Sequence, residues 1–170
     1  QFIKFHGIYQ QDDRDKRKVA KEYSVMVRTR QTGGIVPAAQ YLVYDELSGR
    51  FANGTLRITS RQTFQFHGVA QQGVGSLIKS INEALSSTLA TCGDVNRNVT
   101  APSNPAVDEV TQQIEDDAFT LTRALLPKTT AYHSIWVDGV QLDLGLGDKI
   151  AKARASVDQA NPYLPPPADH

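Results

Sequence analysis

Apolar and polar side chains alternate along several short stretches of the first half of the chain, and this pattern predicts strands. SVMVRTR (24–30) alternates and is rich in β-branched residues. TLRIT (55–59) and TFQFHGV (63–69) show the same two-residue period on either side of a short polar link, which is typical of a β-hairpin. A further strand is predicted at about 132–137, before an Asp-Gly turn.

A helical period of apolar positions predicts three helices. The first covers 38–47 and ends at Gly49, the second covers 76–90 with Ser76 as its cap, and the longest covers roughly 105–126. The apolar side chains that recur at helical spacing in the last two helices share one face of each helix: Leu77, Ile81, Ala84, Leu85, Val110, Ile114, Leu121 and Leu125.

The order of these elements predicts an α+β fold, with a mainly antiparallel sheet and helices packed on one of its faces. Residues 1–22 are interpreted as an N-terminal arm. Residues 156–170 have no period and contain three consecutive prolines, so they are interpreted as an exposed linker.

Length and composition exclude several classes of protein. With 170 residues, 40% of them hydrophobic and 21% charged, the chain is globular rather than disordered. It has no unbroken apolar stretch long enough to predict a membrane span and no charged-then-apolar leader. A net charge of zero without an aromatic-basic repeat does not favour nucleic-acid binding. One cysteine, Cys92, excludes an internal disulfide and an all-cysteine metal site, and the four histidines are too scattered for a zinc site.

The charges are unevenly distributed along the chain. Residues 1–100 carry 13 Lys and Arg against 8 Asp and Glu, whereas 101–170 carry 5 against 10. This asymmetry suggests that the first part faces an anionic ligand. A solvated basic run at 14–21, together with chance, is the alternative explanation.

The hairpin carries the most informative polar residues. If Phe64 and Phe66 face the core, the opposite sheet face presents Arg57, Thr59, Arg61, Gln65 and His67 together. Strand positions four residues apart lie about 13 Å apart, so two guanidiniums there suit separate anionic groups of one large ligand. The alternatives are a solvated sheet face and a structural histidine.

Two further arginines are candidates for binding a small anion. Arg97 stands between Asn96 and Asn98 in a polar loop, and asparagines favour turns. Arg28 follows Met26 in its predicted strand and is expected to point toward the same region.

Several segments, in order along the chain, carry a family resemblance. QFIKFHGIYQQDDRD (1–15), VRTR ending at Arg30, RITSRQTFQFHG (57–68), GDVNRNV (93–99) and YHSIWVDG (132–139) resemble the assimilatory sulfite reductase haemoproteins. The motifs CGDVNRNV and WVDG are more similar to the ferredoxin-dependent type. The resemblance implies the N-terminal portion of an oxidoreductase that reduces sulfite to sulfide with six electrons, on sirohaem coupled to a four-iron four-sulfur cluster.

The resemblance also implies a domain plan and a division of roles. Residues 23–90 correspond to a ferredoxin-like half domain and 91–155 to the start of the sirohaem-binding domain. Arg28 and Arg97 match the arginines that hold the bound anion. The hairpin residues that match contacts to sirohaem and its carboxylates are Arg57, Thr59, Ser60, Arg61, Gln65 and His67.

The resemblance implies partners as well. Cys92 matches none of the family's cluster cysteines, so the cluster ligands are expected in the remainder of a longer sulfite reductase, and the isolated chain is expected to be inactive. The other expected partners are sulfite and an electron donor, either ferredoxin or a flavoprotein reductase. The bacterial cytoplasm or the plastid stroma is the expected location.

Two other functions remain open on the sequence alone. One is a stand-alone module that binds sirohaem or another tetrapyrrole without catalysis, and the other is a structural domain without a ligand. Because paired half domains pack together in the family, the isolated chain is expected to leave Phe64, Phe66 and an N-terminal strand over 1–7 partly exposed, and to associate.

Overall fold

A computed structural model describes residues 2–12, 19, 23–103, 108–128, 136–137 and 140–141. Its helices are α1 (Phe2–Phe5), α2 (Ala38–Phe51), α3 (Val74–Glu83) and α4 (Glu109–Leu125). Its strands are β1 (Ile8–Asp12), β2 (Tyr23–Arg28), β3 (Leu56–Ile58), β4 (Phe64–Val69), β5 (Trp136–Val137) and β6 (Val140–Gln141). Short 3-10 turns cover Thr32–Gly34 and Gln71–Gly73. None of the helices in these ranges is long and apolar enough to span a membrane.

The main sheet has four strands in the order β1-β2-β4-β3, and each neighbouring pair is antiparallel. The strands β5 and β6 pair separately, also antiparallel. The predicted α+β fold with an antiparallel sheet is therefore confirmed. The predicted N-terminal strand over 1–7 is wrong, because residues 2–5 form α1 and the strand follows it as β1.

The core lies on one face of the sheet, beneath α2 and α3. Tyr44 of α2 packs against two hairpin rings, with centroids 5.6 Å from Phe64 and 5.8 Å from Phe66. The expectation that these two phenylalanines are partly exposed is wrong, since they are 8% and 0% exposed. The buried members of this core are Val27, Tyr44, Leu47, Phe64, Phe66, Val69, Leu77 and Ile81.

A β-bulge interrupts β4 at Gly68. The pairing passes from Val27 opposite Phe66 to Val25 opposite Val69, so two residues of β4 lie opposite one residue of β2. Gly68 has a φ of 70°, which favours glycine, and a Cβ there would lie 3.1 Å from the Cβ of Asn53. The bulge lets Phe66 and Val69, three positions apart, both face the core.

Helix boundaries differ from the predictions for local reasons. α2 continues through Gly49, which is not among the residues with a positive φ, and ends at Phe51. α3 begins at Val74, two residues before the predicted cap, and ends at Glu83 because Leu85 adopts a φ of 56°. α4 begins at Glu109 because the side chain of Asp108 caps it, accepting a hydrogen bond from the Thr111 amide at 2.7 Å.

The apolar face of α4 is not the face that it buries. Its buried residues are Ala118 and Thr122, and the Thr122 hydroxyl lies 3.1 Å from that of Thr32 in the first 3-10 turn. The apolar side chains that recur at helical spacing are exposed to solvent by between 38% and 68%: Val110, Ile114, Leu121 and Leu125. Most of the predicted strand at 132–137, and the whole of the linker at 156–170, lie outside the described residues.

Candidate functional site

The sheet face opposite the core carries a row of polar side chains. Arg28 of β2 pairs with Gln65 of β4, and Gln65 pairs with Arg57 of β3, so the three residues lie side by side across three strands. His67 lies two positions along β4 and therefore on the same face as Gln65. The structure thus brings together Arg28, Arg57, Gln65 and His67.

The alternation does not extend to the end of the predicted strand 55–59, because β3 ends at Ile58. Thr59 instead stabilises the hairpin tip, since its hydroxyl lies 2.7 Å from that of Thr63 and accepts a hydrogen bond from the Arg61 amide at 3.2 Å. Ser60 and Arg61 are exposed at the tip of this turn. The expectation that Thr59 and Arg61 continue the strand face is therefore wrong.

The hairpin tip contacts the loop that carries Arg97. Asn98 donates hydrogen bonds from Nδ2 to the carbonyl oxygen of Arg61 at 2.8 Å and to that of Gln31 at 2.7 Å. Its Oδ1 is buried and has no hydrogen-bond partner among the described residues. Asn98 therefore fixes the loop against the hairpin.

Arg28 and Arg97, 69 positions apart in the sequence, line one open cavity of about 210 Å³. Arg28 donates from Nη1 to the carbonyl oxygen of Thr91 at 3.2 Å, and Arg97 donates from Nε to that of Gly93 at 3.1 Å. These hydrogen bonds orient both guanidiniums. The residues lining the cavity are Lys4, Tyr9, Arg28, Cys92, Gly93, Asp94 and Arg97.

The charge balance of this region favours an anion. In the described part of the chain, no carboxylate lies within 4.0 Å of Arg28, Arg57, Arg61 or Arg97. The cavity is lined by three cationic side chains and one carboxylate, that of Asp94. A small anion entering the cavity would therefore meet a net positive charge.

Lys4 is a cavity residue that the sequence did not indicate. It lies on α1, with Nζ 5.2 Å from the centroid of the Tyr9 ring, a cation–π arrangement. α1 is held in place because the Ala90 amide donates to the carbonyl oxygen of Phe5 at 2.6 Å. No periodic signal reveals such a contact, because it joins segments more than 80 positions apart.

Arg30 does not line the cavity, and its role, which the sequence did not indicate, is structural. It is 1% exposed, and its guanidinium donates to the carbonyl oxygens of Leu89 at 3.2 Å, Ala90 at 2.9 Å and Asn96 at 3.4 Å. A buried cation is tolerated because these backbone acceptors satisfy it. Arg30 thus anchors the loop that positions Arg97.

His67 is half-buried and hydrogen-bonded at both ring nitrogens. Nδ1 lies 3.0 Å from Oε1 of Gln11, and Nε2 lies 3.1 Å from the side-chain amide of Gln65. Burial lowers the pKa of the imidazole below its ordinary value of 6.5, and the positive charges of Arg57 and Arg28 lower that pKa further. His67 is therefore neutral at neutral pH.

The part of the chain that the structure describes does not form a metal site. Within those ranges, no three His, Cys, Asp or Glu side chains come together. Cys92, the single cysteine of the sequence, is buried in the cavity wall. The described residues therefore do not fit an iron–sulfur cluster, whereas their unpaired cations fit a ligand that carries carboxylates.

The chain is similar to several known proteins. Residues 17–84 match the nitrite/sulfite reductase ferredoxin-like half domain. The chain is 50% identical over 142 residues to the sulfite reductase (NADPH) hemoprotein beta-component of Shouchella clausii, covering 80% of this chain and 25% of the relative. It is 48% identical over 145 residues to the protein of the same name from Methylobacterium nodulans, covering 82% of this chain and 24% of that protein.

A solved structure supports the fold. The Mycobacterium tuberculosis NirA protein is similar with a TM-score of 0.56 and 26% identity, over 67% of this chain and 23% of the NirA chain. The chain thus spans about a quarter of the length of the curated relatives it matches. The names of those relatives specify NADPH, so they do not support the ferredoxin-dependent type that the motifs favoured.

Proposed function

We propose that this chain, whose residues 17–84 match the nitrite/sulfite reductase ferredoxin-like half domain and which resembles the sulfite reductase haemoproteins, is the N-terminal part of such an enzyme. In this proposal it contributes the binding site for sulfite and part of the binding site for sirohaem. The remainder of the polypeptide supplies the cluster ligands and the surface for the electron donor, either ferredoxin or a flavoprotein reductase. The complete enzyme reduces sulfite to sulfide with six electrons, and the chain alone is inactive.

The convergence of Arg28 and Arg97 on one cavity is the observation that carries the proposal. Sulfite is a small oxyanion that must approach a cofactor which is itself anionic. Two guanidiniums oriented by backbone carbonyls offset that repulsion and donate hydrogen bonds to the oxyanion. Their positive charge also stabilises the negative charge that develops on the departing oxygen.

The polar sheet face and the hairpin tip fit sirohaem, whose periphery carries carboxylates. Arg57 and Arg61 are exposed and have no carboxylate partner in the described ranges. Ser60 is exposed beside Arg61 and can donate its hydroxyl. Thr59 acts by stabilising the turn, since its hydroxyl is engaged with Thr63. When bound, sirohaem supplies the iron and the electron transfer, and the residues of this chain supply charge and hydrogen-bond donors.

Exchange of the hairpin arginines is expected to weaken retention of the cofactor. The double variant Arg57→Gln, Arg61→Gln removes two cations from the proposed carboxylate contacts, so the purified complete enzyme should lose most of its sirohaem. Absorbance of the macrocycle and iron content per chain measure this loss. Arg123→Gln, an exposed arginine at the end of α4, is the matched control. Full sirohaem content in the double variant would contradict the assignment of the hairpin.

Lys4 is expected to assist binding of the anion rather than fix its orientation. An ammonium group on the cavity wall attracts sulfite but lacks the planar fork of a guanidinium. Lys4→Gln in the complete enzyme should raise KM for sulfite roughly fivefold, a loss of about 1 kcal/mol, with little change in kcat. The effect should shrink as salt is added. An equal loss at high and low ionic strength would contradict an electrostatic role.

The gene downstream of the codon for His170 tests the assignment of the whole chain. A continuing reading frame with a lysine-rich anion-site motif and four cysteines in two close pairs supports the proposal. A stop codon at that position would exclude catalysis and would favour the module that binds a tetrapyrrole. A titration of the isolated chain with sirohaem would then distinguish that module from a purely structural domain.

A further inference from the structure

Four polar side chains form a continuous hydrogen-bonded row from β1 to the anion cavity. Gln11 of β1 contacts His67, His67 contacts Gln65, and Gln65 contacts Arg28, which lines the cavity. Three strands of the sheet therefore contribute to the surroundings of one guanidinium. The chemistry of each group fixes which atom donates and which accepts.

The orientation of Gln65 follows from Arg28. A guanidinium has only donors, so the Gln65 atom that faces it must be the amide oxygen. In this orientation Oε1 accepts hydrogen bonds from Nε of Arg28 at 3.0 Å and from Nη2. The amide nitrogen then faces His67 and donates to Nε2 at 3.1 Å.

The protonation of His67 follows from Gln65. Because Nε2 accepts a hydrogen bond, it carries no proton, and a neutral imidazole must then carry its proton on Nδ1. Nδ1 lies 3.0 Å from Oε1 of Gln11, and this oxygen accepts a hydrogen bond from the Nδ1–H group. The charged groups facing the ring are Arg28 from β2 and Arg57 from β3. The positive charge of each disfavours a second proton on the imidazole. Among the described residues, no carboxylate lies within 4.0 Å of the ring.

Arg28 is consequently held at both edges of its guanidinium. Gln65 binds the edge formed by Nε and Nη2, and the carbonyl oxygen of Thr91 binds Nη1. A protonated or differently oriented His67 would place a donor against the amide nitrogen of Gln65. Gln65 would then turn its own donors toward Arg28, and the guanidinium would lose one of its two supports.

We propose that His67 is a positioning residue, whose neutral form protonated on Nδ1 orients Gln65 and thereby holds Arg28 in the geometry that binds the anion, with Gln11 as the outer anchor. This role differs from a direct contact between His67 and the cofactor, because the protein engages both ring nitrogens. The inference rests on the proposed function only for the identity of the anion that Arg28 binds.

The hydrogen-bond network has a test that needs no activity. Nitrogen NMR of the 170-residue chain labelled at histidine should show the His67 ring protonated on Nδ1 and unprotonated on Nε2, with a titration midpoint below 6.5. The chain has four histidines, and His67→Gln identifies the signals by their loss. Gln65→Glu should raise the pKa of His67, because a carboxylate replaces the donor beside Nε2. A ring protonated on Nε2 overturns the network whatever the function of the protein.

A pair of substitutions in the complete enzyme tests the positioning role. The amide of glutamine reaches the place of Nε2 and can accept from Gln65, whereas the amide of asparagine reaches only the place of Nδ1. His67→Gln should keep kcat/KM for sulfite within about twofold of the natural enzyme, and His67→Asn should lower it roughly tenfold. Sirohaem content should be equal in both, which separates positioning from cofactor contact.

The outcomes distinguish this inference from the proposed function. Equal activity in the glutamine, asparagine and natural proteins, while Arg28→Ala is strongly impaired, would overturn the positioning role alone. Unchanged activity in Arg28→Ala as well would overturn the proposed function of Arg28 and the positioning role with it. A loss of sirohaem confined to His67→Asn would assign His67 to cofactor contact and overturn the inference.

Discussion

Replacing Arg97 by alanine in the complete enzyme is expected to lower kcat/KM for sulfite by about 100-fold. Its Nε is held by the carbonyl oxygen of Gly93, and its Nη groups have no hydrogen bond to the described residues, so they are available to the anion. Arg28→Ala should have a similar effect, since both guanidiniums line the same cavity. Steady-state kinetics with a reduced dye as electron donor measure the loss without depending on the natural donor.

The control for these variants is an arginine that lies away from the cavity. Arg50 is exposed in the last turn of α2, with its guanidinium 4.9 Å from the Phe51 ring centroid, so Arg50→Ala should retain full activity. Retained absorbance of the cofactor in Arg97→Ala would show that the loss concerns the anion rather than the fold. Normal turnover in both Arg28→Ala and Arg97→Ala would contradict the site.

Gly7→Ala is expected to destabilise the protein by about 3 kcal/mol, from backbone strain and overpacking together. Gly7 has a φ of 75°, and a Cβ there would lie 2.5 Å from the Thr88 carbonyl oxygen and 2.8 Å from that of Arg28. These are backbone atoms, so they cannot move aside without distorting the main chain. The Gly7 carbonyl also accepts the Arg28 amide at 2.9 Å, so the end of β2 should shift. The urea midpoint of the chain measures the loss.

Gly49→Ala is the matched control for Gly7→Ala. Gly49 lies inside α2, and a Cβ there meets nothing within 4 Å. Alanine has a higher helix propensity than glycine and reduces the conformational entropy of the unfolded chain. The free energy of unfolding of this variant should therefore rise by about 0.5–1 kcal/mol. An unchanged urea midpoint in Gly7→Ala would show that the junction of α1, β2 and the loop after α3 is not rigid.

The hairpin could be predicted because its apolar and polar residues alternate with the two-residue period that separates the buried face of a strand from the other face. Phe64 and Phe66 alternate with Gln65 and His67, and one set is buried while the other is half-buried. The prediction failed at Thr59, where side-chain hydrogen bonds to the backbone compete with the strand ladder. Strand β1 was missed because its residues IYQQD do not alternate clearly.

The buried face of helix α4 could not be predicted from hydropathy. Its apolar residues recur at helical spacing, yet Ala118 and Thr122 make the buried contact. Small side chains allow a close approach to the turn at Thr32, and hydropathy does not record that fit. The cavity could not be predicted from the sequence either, because Lys4, Arg28 and Arg97 converge through long-range contacts that leave no local sequence pattern.

The bulge at Gly68 gives β4 one position at which the length of the strand can change without turning its core residues outward. A residue gained or lost in the exposed turn at Asn53–Gly54 alters only a loop, and such changes are commonly tolerated in evolution. Loss of Gly68 would likewise be tolerated, because it would restore a regular ladder and leave Val69 two positions after Phe66, still on the core face. Homologous sequences aligned across this strand should therefore accommodate a one-residue gap at Gly68 more readily than a gap elsewhere in β4.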